Sequence, residues 1–146
     1  ATDVVYWSRQ AKPQITEELG IKFVPLEDLV KTADVISVHV PESAGEILTK
    51  ELLAQTKPGV VLINTGSKAT YNDDSLYDLL YNQKARAAFD MPLEDPRFDE
   101  LTADVWFYSN GSTAYNTWEA NKIASDMATQ SMLNLLSTGN DDFRVN

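Results

Sequence analysis

Lys57-Pro58-Gly59-Val60-Val61-Leu62-Ile63-Asn64-Thr65 decides the fold class. Pro58-Gly59 is a turn signal, and the four residues after it are apolar with no alternation between faces. A strand that is apolar on both faces is covered on both, as a central strand of a parallel sheet is. Upstream, Val35-Ile36-Ser37-Val38-His39-Val40 is rich in β-branched residues and stops at Pro41, the pattern of a second strand. Pro25-Leu26-Glu27-Asp28-Leu29-Val30 opens on proline with leucines three apart, the start of a short helix. Before it, Ile21-Lys22-Phe23-Val24 fits a short strand, and Gly20 after Leu19 suits the end of a helix built on the polar stretch 10–18. Asp3-Val4-Val5-Tyr6-Trp7-Ser8 fits a buried strand.

Downstream the rhythm continues. Residues 50–55 form a short helix, and 73–82 a longer one with Leu76, Leu79 and Leu80 on one face. Ala87-Ala88-Phe89 and Val105-Trp106-Phe107-Tyr108 are strands. Residues 117–136 form a long helix that closes near Ser137-Thr138-Gly139. Its Ile123, Met127, Met132 and Leu136 suit docking on a sheet. Strands alternating with helices at this spacing imply βαβ units. The expectation is one α/β domain over 1–146, a parallel sheet with helices on both faces, in which Val60–Asn64 is a fully buried central strand.

The totals narrow the function. In 146 residues the hydrophobic share is 43% and the charged share 23%, as in soluble globular chains. The net charge of −10 disfavours binding to nucleic acid or to anionic lipid, both of which reward Lys and Arg. No run of about 18 apolar residues is present, so no membrane span is expected. Without cysteine there is no disulfide, thiolate metal site or cysteine nucleophile, and no metal site is expected. Ala1-Thr2-Asp3 carries an acid where a secretion signal carries basic residues, so a cytoplasmic setting is expected.

Three stretches are more specific. The first runs from Lys12-Pro13 through Glu17-Glu18-Leu19-Gly20-Ile21-Lys22-Phe23-Val24-Pro25 to Ala33-Asp34-Val35-Ile36-Ser37-Val38-His39-Val40-Pro41. The second is Lys57-Pro58-Gly59-Val60-Val61-Leu62-Ile63-Asn64-Thr65, continuing through Asp74, Leu76 and Leu80 to Ala87-Ala88-Phe89-Asp90. The third is Ala114-Tyr115-Asn116-Thr117-Trp118-Glu119-Ala120. In this order and spacing they resemble the NAD(P)-binding domain of the D-isomer-specific 2-hydroxyacid dehydrogenases, the group of glyoxylate reductase and phosphoglycerate dehydrogenase. The likeness runs almost end to end, opening at that family's second sheet strand.

The resemblance implies a Rossmann-like sheet, incomplete at its N-terminus, and an oxidoreductase that transfers hydride between NAD or NADP and a 2-hydroxy or 2-keto acid. It implies cofactor contacts from Ser8, Arg9, Pro41, Asn64, Thr65 and Asp90. An acid at the end of the second strand binds ribose hydroxyls, whereas a cation there tolerates a 2′-phosphate. Ser8-Arg9, with Lys12 nearby, therefore leans towards NADPH. The family's glycine-rich turn, which holds pyrophosphate at a helix N-terminus, has no counterpart, since no G-x-G-x-x-G occurs in these residues. Cofactor binding is accordingly expected to be weak or absent.

The chemistry needs a cation for the substrate carboxylate and a histidine acid tuned by a carboxylate. Counting from Asn64-Thr65, the family's arginine falls on Ser67, with Lys68 beside it as a point charge. Asp90 followed by Asp95-Pro96 matches the carboxylate position, with Asp95 where the family has Glu. Counting back from Ala114-Tyr115-Asn116-Thr117, the histidine falls on Ser112. The one histidine, His39, sits in a strand and fits a packing or strand-end residue. The expected function is an enzyme-derived cofactor domain, inactive by itself. Two alternatives stay open: a catalytically dead binding or dimerisation module (a pseudoenzyme), or altered chemistry on Lys68, Asp90, Asp95 and Ser112.

In a 3-2-1-4-5-6 sheet the first strand separates the second from the fourth. Residues 4–8 and 35–40 would then flank a gap of roughly 10 Å, two strand spacings. Three solutions are open at this point: the chain is part of something longer, the two strands pair directly, or a partner fills the slot. A homo-oligomer, most simply a dimer, is expected.

Overall fold

The computed structural model describes residues 3–82, 84–109 and 116–139. The chain divides into two compact units, Ala1–Asn110 and Gly111–Asn146. In the first unit, strand β1 (Val5–Tyr6) leads through helix α1 (Pro13–Leu19) to β2 (Lys22–Phe23). Pro13 sits in the first turn of α1, and Gly20 ends the helix at φ 69°, a left-handed conformation that suits glycine. Helix α2 (Leu26–Thr32) follows Pro25 and buries Val30 completely. Then come β3 (Val35–Val38), α3 (Lys50–Leu53), β4 (Val60–Asn64), α4 (Asp73–Tyr81), β5 (Ala85–Phe89) and β6 (Trp106–Tyr108). Asn72 caps α4 by accepting the Ser75 N–H at 3.1 Å, and Asp73 and Asp74 in the first turn complement the helix dipole.

All pairings are parallel. The strands form two sheets, β1-β2 and β3-β4-β5-β6, so β4 is an interior strand as its sequence demands. Ile36 and Val38 of β3, Val60 and Leu62 of β4, and Ala85, Ala87 and Phe89 of β5 form one buried face together with Leu53, Leu76 and Leu80 of the helices. Each fully buried leucine contributes about 1.5–3 kcal/mol. The architecture is a Rossmann-like parallel α/β fold.

One expectation is corrected, and one of the three open solutions for the slot is not the one observed. Val61 and Ile63 are only partly buried, so β4 is covered fully on one face and partially on the other. Direct pairing of residues 4–8 with 35–40 does not form, because β1 and β3 belong to different sheets. Val4, just before β1, and Val35 of β3 are 56% and 54% exposed. Strand β3 also ends at Val38, two residues earlier than its composition suggests, and three short 3-10 turns, Glu42–Ala44, Lys68–Thr70 and Pro96–Glu100, lie between the longer elements.

In the second unit, helix α5 (Trp118–Thr138) starts where Thr117 accepts the Ala120 N–H at 3.1 Å and ends at Gly139 with φ 74°. No described helix is long and apolar enough to cross a membrane.

Candidate active site at the carboxyl ends of the strands

Parallel strands deliver their carboxyl ends to one rim, the usual place for a ligand in an open α/β sheet. Here β3, β4 and β5 end in Val38, Asn64 and Phe89, and a cleft of about 310 Å³ lies beyond them. It is lined by Val40, Pro41, Glu42, Gly66, Ser67, Lys68 and Met91.

Its floor is the turn after β4. Asn64 is 2% exposed, and its amide closes the turn from within. Oδ1 accepts the Gly66 N–H at 2.9 Å, and Nδ2 donates to the Ser67 carbonyl at 3.0 Å. The Thr70 hydroxyl donates to that same carbonyl at 2.6 Å, and the Ser67 N–H donates to the Val40 carbonyl at 3.2 Å. Gly66 is required by close approach: a Cβ there would stand 2.7 Å from the Val40 carbonyl oxygen. Asp90 is tied to the same turn, its N–H donating to the Asn64 carbonyl at 3.1 Å while its own carbonyl accepts from the Ser109 hydroxyl at 2.7 Å.

Pro41, Asn64, Thr65, Ser67 and Asp90 are thus brought to one rim. Ser8 and Arg9 follow β1 in the two-stranded sheet. Ser67 caps the turn Lys68–Thr70 with its hydroxyl, which accepts the Ala69 N–H at 3.2 Å. Lys68 reaches from the cleft to Glu94, and that ammonium holds the Glu94 carboxyl below the usual carboxylate range. Ser112 lies outside the described residues.

Asp95 caps the turn Pro96–Glu100, accepting the Arg97 N–H at 3.0 Å. Arg97 then folds back on it. Nε donates to Oδ2 at 2.8 Å and Nη2 to the same oxygen at 2.5 Å, while Nη2 also reaches Asp74 at 2.6 Å. These bonds lower the pKa of the Asp95 carboxyl. Arg97 also lies over the Tyr77 ring, 4.9 Å from its centroid. Nearby Asp73 is shifted up, first by burial and then by the charges of Asp95 and Asp74. Asp95 therefore stands ionised, with both oxygens committed to a guanidinium.

Sequence reasoning missed Gly66, Glu94 and Arg97. Gly66 had a signal in its place directly after Asn64-Thr65, and Arg97 in its place directly after Asp95-Pro96. Glu94 had none, since its partner lies 26 residues away.

Comparison with known proteins gives the same direction. The family model described as "D-isomer specific 2-hydroxyacid dehydrogenase, NAD binding domain" matches residues 1–107. D-3-phosphoglycerate dehydrogenase of Mycobacterium tuberculosis is 39% identical over 88 residues, 58% of this chain and 16% of the relative. Glyoxylate reductase of Thermococcus litoralis is 34% identical over 100 residues, 66% of this chain and 30% of the relative. Among solved structures, apo D-lactate dehydrogenase of Escherichia coli superposes with a TM-score of 0.75 at 27% identity, over 91% of this chain and 43% of that one. The chain thus spans less than a third of the length of these two curated relatives. It belongs to the D-isomer-specific 2-hydroxyacid dehydrogenase family, by way of that family's NAD-binding domain.

Proposed function

We propose that this chain is the cofactor half of a hydroxyacid-dehydrogenase-type site, taking the nicotinamide end of NAD or NADP into the cleft beyond β3, β4 and β5. The observation that carries this reading is the locked turn 64–67: it presents Ser67 and Lys68 to a cleft at the carboxyl ends of parallel strands in a chain of this family. A bound nicotinamide would supply the hydride for reduction of a 2-keto acid. Pro41 and the turn would shape its seat, Asn64 would keep the turn closed, and Thr65 and Asp90 would offer polar groups at the rim. Arg9, exposed just past β1, favours the 2′-phosphate of NADPH.

By itself the chain is expected to bind weakly and to turn nothing over. Ser67 and Ser112 stand where the family resemblance calls for Arg and His, and Asp95, at the carboxylate position, is held by Arg97 rather than free to tune a base. Acid–base catalysis alone contributes about 10²–10⁴-fold, so losing the histidine removes most of the rate. A spectrophotometric assay of NADH and NADPH oxidation with glyoxylate, pyruvate and hydroxypyruvate should therefore stay at background. Turnover that disappears on Asp95→Ala would contradict this. The commitment of Lys68 to Glu94 and of Asp95 to Arg97 also favours a second reading, a pseudoenzyme that acts in the cytoplasm as a binding or dimerisation module.

A further inference from the structure

Strand β6 ends the four-stranded sheet on the side away from β3, and its outer edge is open among the described residues. Two hydrogen bonds fix which backbone groups face outward. The Val105 carbonyl accepts from the Ala87 N–H at 2.8 Å, and the Ser109 N–H donates to the Phe89 carbonyl at 3.1 Å. Odd-numbered residues therefore bond to β5, and the intervening Trp106 and Tyr108 turn their backbone groups to the other side. The Trp106 N–H is taken by the Thr102 carbonyl at 3.0 Å. Among the described residues, the Trp106 carbonyl and both Tyr108 backbone groups have no partner.

A pocket of about 230 Å³ adjoins this edge. Its lining residues all lie between 98 and 108 and none belongs to β5, which places it on the open side of β6. Phe98 and Trp106 are buried with ring centroids 5.3 Å apart, and the Tyr108 ring lies 6.0 Å from Trp106, so the pocket has an aromatic wall. Asp99 also lines it. This carboxylate is exposed and, like its neighbour Glu100, makes no ion pair among the described residues. A strand laid antiparallel along the edge pairs one residue with Tyr108 through two hydrogen bonds, and that residue projects its side chain on the face of Trp106 and Tyr108. The side chain that suits the pocket has a long apolar stem and a cationic head, since lysine and arginine lay their methylenes on apolar surface and keep the charge outside. A second copy of this chain suits it poorly, because edge-to-edge pairing at β6 adds like carboxylates to Asp99 and Glu100 in a chain of net charge −10.

We propose that the open edge of β6 and its pocket dock an extended segment of a partner protein that carries lysine or arginine, held by strand addition to Tyr108 and by the Asp99 carboxylate. The pocket shares no lining residue with the cleft beyond β3, β4 and β5, so this docking site is independent of the dinucleotide reading. The test is an NMR titration of the full chain with the peptide acetyl-Thr-Val-Lys-Val-Thr-amide, read at the backbone amides. Two control peptides differ from it in one feature each: glutamate in place of lysine, and a methyl group on the lysine backbone nitrogen.

The lysine peptide is expected to move the amides of Trp106, Phe107 and Tyr108 saturably at millimolar concentration. Asp99→Asn weakens that binding by about two- to five-fold, the range of an exposed ion pair. The substitution is on the surface, and unchanged signals elsewhere verify that the fold is kept. Methylation of the peptide backbone weakens binding by about ten-fold or more, because the ladder to Tyr108 can no longer close. Silence at β6 overturns the proposal, as does equal binding of either control peptide or binding that Asp99→Asn leaves unchanged. Concentration-dependent shifts at β6 in the absence of peptide overturn it too, by giving the edge to a second copy.

Discussion

The turn after β4 is where single residues matter most. Asn64 is buried with both ends of its amide used inside the turn, and Gly66 lies against the Val40 backbone with no room for a methyl group. Because the clashing atom is a carbonyl oxygen rather than a flexible side chain, the turn itself must shift to admit a Cβ. Gly66→Ala is therefore expected to destabilise the fold by about 1–3 kcal/mol, the usual cost of overpacking. Urea unfolding followed by tryptophan fluorescence checks this, and an unchanged midpoint would show that the turn is looser than its geometry implies. Little of this was legible beforehand. Asn64, Thr65, Ser67 and Asp90 could be picked out by resemblance, but the inward fold of the Asn64 amide depends on backbone geometry that residue types do not encode. The same holds for Asp95: its identity and its proline were readable, whereas its capture by Arg97 depends on side-chain placement.

At the scale of elements, the patterns that rest on local chemistry carried over best. Pro58-Gly59 before an apolar run located β4, and the leucine spacing located α4, of which Leu76 and Leu80 are fully buried. What depends on neighbours did not carry over. Burial of Val61 and Ile63 is set by how much covers the second face of the sheet, and the 3-10 turns are fixed by hydrogen bonds to other segments, such as the Ile47 and Leu48 N–H groups on the Thr70 carbonyl. The partner of β1 stayed open in the sequence, because strand pairing depends on contacts that residue types do not encode. Strand edges bear on behaviour in solution. Among the described residues β3 and β6 are the edge strands of the four-stranded sheet, with Val35 exposed on one and Phe107 on the other. Such edges promote pairing between chains. Light scattering at micromolar concentration is expected to report a dimer, and a mass that stays at one chain as concentration rises would contradict it.

For the whole molecule, the fold and the family are established while the ligand is the open claim. The chain supplies a shaped cleft at the rim of a parallel sheet, but the cleft cation Lys68 is paired with Glu94 and the net charge of −10 repels a diphosphate. The affinity expected is therefore modest, about 0.1 mM or weaker, or roughly −5.5 kcal/mol. The most direct test is an NMR titration of the full chain with NADH and NADPH, read at the backbone amides. The account predicts weak, saturable perturbation centred on Thr65, Gly66, Ser67 and Asp90, stronger with NADPH than with NADH. Silence at those residues through millimolar cofactor, or perturbation centred elsewhere, would contradict it.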